Sequence, residues 1–358
     1  LLASRKQPVD ENSRHGHDDD SLPDITIVMP AYNEAAYIAD KLHNLAILDY
    51  PQNKYSVVIA CDGCTDGTAD IARKVLAESP CRNLRTRIIE YRQNRGKVAV
   101  INDVLPQLET GLVVFSDVSA LLAINALKST ADAFKDPSLG VLTGCYRLLN
   151  PGSDGEQKYW QYQTMIKQAE ASLGSTLGVH GAFYAFRHAL AETLPDDTIN
   201  DDFVLPMRIV AQGYRAGYAG DINAVELEQA NNDTDQRRRR RIAAGNMQQL
   251  WRLKALLHPK YKGVAFMFAS GKALRVFMPF LMVVSLAGSM LLAGESSLFA
   301  LLSIAQLAGY FIALLVPERT HKVVKILRYL IIGHMQSMVG VTRYWLGMEK
   351  GRWARVNS

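Results

Sequence analysis

The sequence predicts an α/β fold, a mostly parallel sheet covered by helices on both faces, followed by a helical hairpin suited to a membrane. Two observations predict the sheet and one predicts the hairpin. Short, continuously apolar, branched runs alternate with amphipathic stretches between residues 25 and 116, the pattern of strands buried on both faces. Polar and glycine-containing segments fall just after each run, where open parallel sheets bind their ligands. Further on, residues 276–293 and 297–316 carry no charge, and each run is long enough to cross a bilayer.

In chain order, residues 1–23 are polar and contain an HGHDDD run, so a flexible leader is expected. Strands are expected at 25–29, 55–61, 87–90 and 112–116. Helices are expected between them at 36–48, 68–78 and 97–108. Beyond these, 159–174 and 203–212 read as helices, 178–186 as a strand or buried loop, and 236–257 as a long, very basic helix. Lys260, Lys262, Lys272 and Arg275 precede the first uncharged run; Arg319, Lys322 and Lys325 follow the second. The positive-inside rule then puts both flanks in the cytoplasm and the short turn at Glu295 outside. Residues 323–346 are apolar but broken by Lys325, Arg328, His334 and Arg343, which predicts an amphipathic helix lying in the membrane interface. The expected division is a leader at 1–23, a catalytic domain at 24–258 and a membrane part at 259–358.

Composition narrows the partners. The chain of 358 residues is 48% hydrophobic with net charge +5. That mild excess suits an anionic membrane face or a phosphate-bearing substrate. Gln236 precedes five consecutive arginines, 237–241. On a helix these point in all directions, so some reach a diphosphate while others face lipid head groups. No aromatic stacking pattern or nucleic-acid fold signature accompanies them, so nucleic acid is not an expected partner. Cys61 and Cys64 have no second C-x-x-C and no paired His nearby, so free thiols are expected rather than a zinc site.

The residues worth watching stand at the strand ends. Pro30, Tyr32 and Glu34 follow the first strand; Asp62, Gly63 and Gly67 follow the second. Gly96 and Lys97 open the third helix, and Asp117 and Ser119 follow the fourth strand. Carboxylates, glycines and a lysine on one edge of a sheet suit a nucleoside diphosphate held with a divalent cation. Asp117, with the weaker neutral ligand Ser119, suits Mg2+ or Mn2+ bridging diphosphate oxygens; the plainer alternative is a solvated turn. Asp62 suits hydrogen bonds from a nucleobase or an N-cap, the latter a role that Asp66 or Thr68 fits better. Glu34 suits a ribose and Lys97 a phosphate. Asp201 and Asp202 stand before the helix 203–212, where carboxylates also serve simply as dipole complements.

At these residues the chain resembles glycosyltransferase family 2, the group containing cellulose, chitin and hyaluronan synthases, over about residues 24–257. Residues 25–34 resemble the family's opening strand and P-x-Y-N-E. Residues 62–68 resemble D-G-S-T-D-G-T, with Cys64 in the serine place. Residues 94–97 resemble N-x-G-K, and Asp117–Ser119 sits at the D-x-D with Ser119 replacing its second Asp. Residues 180–187 resemble the G-A-x-x-x-x-R segment on the acceptor side. Asp201 and Asp202 sit at the E-D pair, and Gln236–Arg240 resembles Q-x-x-R-W with Arg240 replacing the tryptophan.

The resemblance implies a GT-A, Rossmann-like fold, a nucleotide-sugar donor (UDP by the family's habit) and inversion at the anomeric carbon. It implies Asp202 as general base beside Asp201, and Pro30, Tyr32, Glu34, Asp62, Gly96, Lys97 and Asp117 around the donor. It implies Asp117 and Ser119 as metal ligands, and Gln236, Arg239, Arg240 and His180 at the diphosphate and acceptor. The resulting reading is an inner-membrane transferase, its catalytic domain in the cytoplasm, that extends an exopolysaccharide or other cell-surface glycan. Its rivals are a polyprenyl-phosphate sugar transferase and a catalytically silent scaffold of a polysaccharide-export complex. The hairpin and interfacial helix are too small for a complete transmembrane channel, so an upstream helix or an export partner is expected to supply the rest.

Overall fold

The computed structural model describes residues 21–150, 154–228, 232–317 and 322–348, with no side chains at 154–159, 232–239 or 322. The expected leader, at residues 1–20, lies outside them. The expected alternation is present: β1 (Ile25–Ala31), α1 (Ile38–Ala46), β2 (Tyr55–Asp62), α2 (Thr68–Leu76), β3 (Thr86–Tyr91), α3 (Lys97–Val104) and β4 (Leu112–Phe115). β1 pairs in parallel with both β2 and β4, and β2 with β3.

In the second half, after β5 (Ala120–Leu122) and α4 (Ala126–Ala133) come β6 (Leu139–Leu148), α5 (Asp154–Ser172), β7 (Tyr184–Arg187), α6 (Asp201–Ala211) and β8 (Arg215–Glu226). α5 and α6 are the helices expected near 159–174 and 203–212, and β7 overlaps the strand or buried loop expected at 178–186; β5, α4, β6 and β8 are elements that the apolar pattern did not announce. One eight-stranded sheet results, in the order β3-β2-β1-β4-β7-β6-β8-β5. β7 runs antiparallel to β4 and β6, β8 is parallel to β6, and β5 is antiparallel to β8. The sheet is thus parallel in its first half and mixed in its second.

The two-residue period of a strand sorts its side chains between two cores. Ile25, Ile27 and Met29 of β1 meet Ile38, Leu42 and Leu45 of α1 on one face. Val28 joins Val100, Ile101 and Val104 of α3, and α6, on the other. Full burial of each such side chain stabilises the fold by about 1.5–3 kcal/mol.

Next come α7 (Asn232–Arg252), α8 (Gly263–Met267), α9 (Leu274–Leu291), α10 (Ser297–Leu315) and α11 (Lys322–Trp345). α8 and α9 form one helix of 29 residues through a π-helical turn at Phe268–Ala273. That helix and the 19-residue α10 are long and apolar enough to cross a membrane. Only 17% and 11% of their most apolar windows are buried in the protein. A core hairpin of a soluble domain would be buried, so these helices present their apolar surface outward. α11 lies against α7: Arg240 Nε donates to Gln336 Oε1 (2.5 Å), and Val341 is fully buried.

Candidate active site

The donor-side motifs converge at the carboxyl ends of β1, β2 and β4. Asp62, fully buried, accepts the backbone N–H of Arg95 at both oxygens (3.0 and 3.1 Å) and that of Gly96 at Oδ2 (2.7 Å). Its carboxylate therefore shapes the loop in front of α3. Gly63 has φ +70°, and a Cβ there would lie 2.4 Å from the Asn94 nitrogen, so glycine alone admits the loop. Asp66 accepts the N–H of Thr68 (3.1 Å) and of Ala35 (2.8 Å), and Glu34 N–H donates to Thr68 Oγ1 (2.8 Å). Burial works against ionised Asp66, but these bonds outweigh it and hold its carboxyl below the usual range. They tie the loop of Pro30, Tyr32 and Glu34 to the start of α2. Pro30 itself is buried within β1.

Four charged groups meet at the centre. Lys97 Nζ stands 3.2 Å from Asp117 Oδ1 and 3.6 Å from Asp201 Oδ2. Burial opposes the Lys97 charge, yet Asp117, Asp201 and Asp202 more than restore it. Burial likewise opposes ionised Asp117, but Lys97, His180 and Lys41 hold its carboxyl below the usual range. Burial, then Asp201, pushes Asp202 up to about 6, against the pull of Lys97, Arg241 and Lys272. Asp201 Oδ2 is buried and makes no hydrogen bond. The raised Asp202 carboxyl, next to Asp201 and facing the Lys97 charge, is suited to taking up a proton.

Two further residues belong here. Lys41, fully buried, donates to Ser116 Oγ (2.6 Å) and to the Ala120 carbonyl, bracketing the Asp117–Ser119 turn. Burial lowers it to about 7, although Asp117 and Glu226 favour its charge. Its spacing of three from Ile38 and four from Leu45, on the apolar stripe of α1, was the available signal. Glu226 ends β8 opposite Ala120, and Leu227 N–H donates to the Ser119 carbonyl (2.9 Å). Burial raises the Glu226 carboxyl, the Ser119 hydroxyl counters this, and Asp117 raises it further.

Asp117, Ser119 and Glu226 offer oxygen donors only, the chemistry that Mg2+ and Mn2+ prefer. Among the described residues no three His, Cys, Asp or Glu side chains form a ready metal group. The set fits a cation whose remaining ligands come from a diphosphate.

Asp201 and Asp202 are the first residues of α6, and three elements hold them. Val179 N–H donates to the Asp202 carbonyl (3.1 Å). From α7, Gln248 accepts Ile199 N–H (2.9 Å) and donates to the Asp197 carbonyl (2.8 Å). Phe203 stacks on Phe268 (centroids 6.3 Å), and Lys272 Nζ lies 4.3 Å over the Phe203 ring. His180 borders Asp117, whose N–H donates to the neighbouring Gly181 carbonyl (3.2 Å). Arg240 is turned to α11, while Gln236 and Arg239 lie among the residues whose side chains are not described. The four cysteine thiols are free.

Comparison with known proteins identifies a family and a fold. The family described as "Glycosyltransferase like family 2" matches residues 23–245. A poly-beta-1,6-N-acetyl-D-glucosamine synthase of Staphylococcus aureus (strain COL) is 28% identical over 207 residues, 56% of this chain and 48% of that protein. The synthase of the same name from Staphylococcus epidermidis is 24% identical over 202 residues, 54% of this chain and 47% of that protein. The chain thus spans about half the length of these relatives. Among solved structures, the mannosyltransferase PcManGT from Pyrobaculum calidifontis, in complex with GDP-Man and Mn2+, superposes with a TM-score of 0.71. It covers 93% of this chain and 90% of that one at 24% identity, a likeness that shows the fold.

Proposed function

The chain belongs to Glycosyltransferase like family 2, and on that premise we propose that it is a membrane-bound, inverting transferase extending a cell-surface glycan. The donor is a UDP-sugar, and the name of the staphylococcal relatives points to UDP-N-acetylglucosamine. The observation that carries the reading is the placement of Lys97 between Asp117 and the Asp201–Asp202 pair. Sugar transfer needs a base for the acceptor hydroxyl and positive charge for the departing diphosphate, and both stand within one side-chain length here.

Asp202 takes the proton from the attacking hydroxyl. Its pKa of about 6 leaves it mostly ionised at neutral pH yet more basic than an ordinary aspartate. Lys97 faces the charge that grows on the leaving diphosphate. Asp62 and Gly63 hold the loop that carries Gly96 and Lys97, and the turns around Glu34 and Asp66 enclose the nucleoside. Mg2+ or Mn2+ on Asp117, Ser119 and Glu226 would neutralise diphosphate charge when bound. Attack on the anomeric carbon from the face opposite the diphosphate inverts it, with no enzyme nucleophile required. The cations flanking the two apolar helices favour an inner membrane with the catalytic side in the cytoplasm.

The test is donor hydrolysis and transfer by the full chain in nanodiscs. A panel of UDP- and GDP-sugars is supplied with Mn2+ or Mg2+ and membrane extract as acceptor, comparing wild type with Asp202→Asn. Nucleoside diphosphate released from one donor, and lost in the variant, is the expected result. Silence of the wild type across the panel would overturn the reading in favour of a scaffold.

A further inference from the structure

A glycan-extending enzyme must hold the ring of its acceptor as well as its donor. The family resemblance assigns that contact to a tryptophan at the position of Arg240, and Arg240 is instead committed to Gln336 of α11. On the loop beside Asp117, three half-buried rings meet at His180. Tyr146 of β6 stacks on His180 with centroids 3.8 Å apart and planes 28° apart. Trp160 of α5 lies 4.3 Å from Tyr146 at 54° and 5.4 Å from His180, edge to face at 79°. Core aromatics of this protein, such as Phe115, Tyr184 and Phe186, are buried to 1% exposure or less, so the half-buried state of this trio is a property of the place.

Its position is defined by the loop that carries His180. Val179 N–H donates to the carbonyl of Asp202, and two residues later the Gly181 carbonyl accepts from Asp117 N–H. A Cβ on Gly181 would lie 2.9 Å from Asp117 Oδ2, so the loop runs tightly past that carboxylate. His180, and with it the two rings packed on it, therefore sits on the loop that joins the Asp202 and Asp117 backbones. The trio belongs to β6, α5 and the approach to β7. The nucleotide motifs belong to β1, β2 and the loop before α3, in the other half of the sheet. A saturated pyranose presents a face of C–H groups that packs on an aromatic ring, and Trp and Tyr add a polar edge for its hydroxyls.

We propose that Tyr146, Trp160 and His180 form the stacking subsite for the terminal pyranose of the acceptor, in place of the tryptophan missing at Arg240. The proposal rests on the glycosyltransferase reading. Trp160 supplies the indole face, while Tyr146 and His180 brace it and orient the ring toward Asp202.

The test uses the full chain in nanodiscs with UDP-N-acetylglucosamine as donor and β-1,6-linked N-acetylglucosamine oligosaccharides as acceptor probe. Trp160→Ala is expected to raise the acceptor KM by about tenfold and the donor KM by less than about twofold. Trp160→Phe, which keeps a ring, is expected to recover most of the acceptor KM. Oligosaccharide titration should change the intrinsic fluorescence of wild type and leave that of Trp160→Ala unchanged. An acceptor KM unmoved by Trp160→Ala, a Trp160→Phe no better than alanine, or equal rises in both KM values would overturn the subsite. A wild type that turns over none of the UDP- and GDP-sugar panel would overturn the glycosyltransferase reading itself, a different and separately visible failure.

Discussion

Asp202 offers the sharpest quantitative test. Against an ordinary value of 3.8, a pKa of about 6 means that the fold disfavours the ionised carboxylate by up to about 3 kcal/mol. Asp202 is only half-buried, and solvent screening trims the effect to about 1–3 kcal/mol. The sign follows from proton binding. Between pH 4 and 6 the folded state holds the proton more tightly than the unfolded state. The stabilisation is therefore full below pH 4, fades as pH rises through about 6, and is absent at neutral pH. Asp202→Asn removes the penalty, so the variant should be more stable than wild type at pH 7.5 by about 1–3 kcal/mol. At pH 4 it should show no such gain. Catalysis moves the other way: loss of a positioned base costs about 10²–10⁴ in transfer rate. In wild type about one-tenth of Asp202 is ionised at pH 5 and about nine-tenths at pH 7, so kcat should climb about tenfold between them. The assay is nucleoside diphosphate release at saturating donor across that range, beside urea denaturation of both proteins. A flat wild-type profile between pH 5 and 7, or a variant within tenfold of wild type, would refute the assignment.

Other consequences can be measured on the same preparation. Asp117→Asn should weaken Mn2+ binding, followed by calorimetry in the presence of UDP, by about tenfold or more, because the carboxylate beside Ser119 and Glu226 is lost. Gly63→Ala places a Cβ 2.4 Å from the Asn94 nitrogen at φ +70°. It should destabilise the fold by about 1–3 kcal/mol and raise the donor KM, read by denaturation and UDP titration. Lys41→Met leaves Ser116 Oγ and the Ala120 carbonyl without their buried donor, costing about 1–3 kcal/mol. Because burial lowers Lys41 to about 7, wild-type stability from this group rises with pH from 7 toward 10.5; the Met variant should lack that rise.

How much of this was legible depended on how each element is buried. β1, β2 and β4 announce themselves because strands covered on both faces must be apolar without interruption, whereas β3, at the sheet edge, shows only the short Ile88–Ile89 core between Arg87 and Glu90. β6 hid because it contains Gly140 and Gly144, which read as loop residues. A Cβ on Gly140 would lie 2.6 Å from Ile209 Cγ2, and one on Gly144 2.6 Å from the Ile222 carbonyl. The glycines are there because α6 and β8 press on that strand, a fact of tertiary packing. β8 hid for a related reason: Gly217, Gly220, Asp221 and Asn223 interrupt its apolar residues, and Gly220 and Asp221 are exposed. Missing β8 meant missing Glu226. Lys41 does not stand out in the sequence, because a lysine on a helix is ordinarily a surface residue. Asp62 was located correctly at its strand end, but its backbone partners, Arg95 and Gly96, lie 33 and 34 residues further along the chain. The strand-end motifs needed no such distant information, so the centre of the site was readable before its supports were.

The first of the two long apolar helices reaches into that centre. Val264, Met267, Phe268 and Val276 share one core with Phe203, Val204 and Leu205, and Phe268 is fully buried. Four such side chains stabilise the packing by about 6–12 kcal/mol, as much as the whole net stability of an ordinary domain. Phe203 follows Asp202 directly, so the geometry of the carboxylate depends on the root of the first apolar helix. A chain ending at residue 258 should then fail to turn over the donor even if kept in detergent. Expression of residues 21–258 beside the full chain, scored by donor hydrolysis and by protease resistance of α6, tests this. A soluble fragment with undiminished hydrolysis would show that α6 holds Asp202 in place by itself. An inactive fragment would mean that the first long apolar helix is part of the catalytic scaffold.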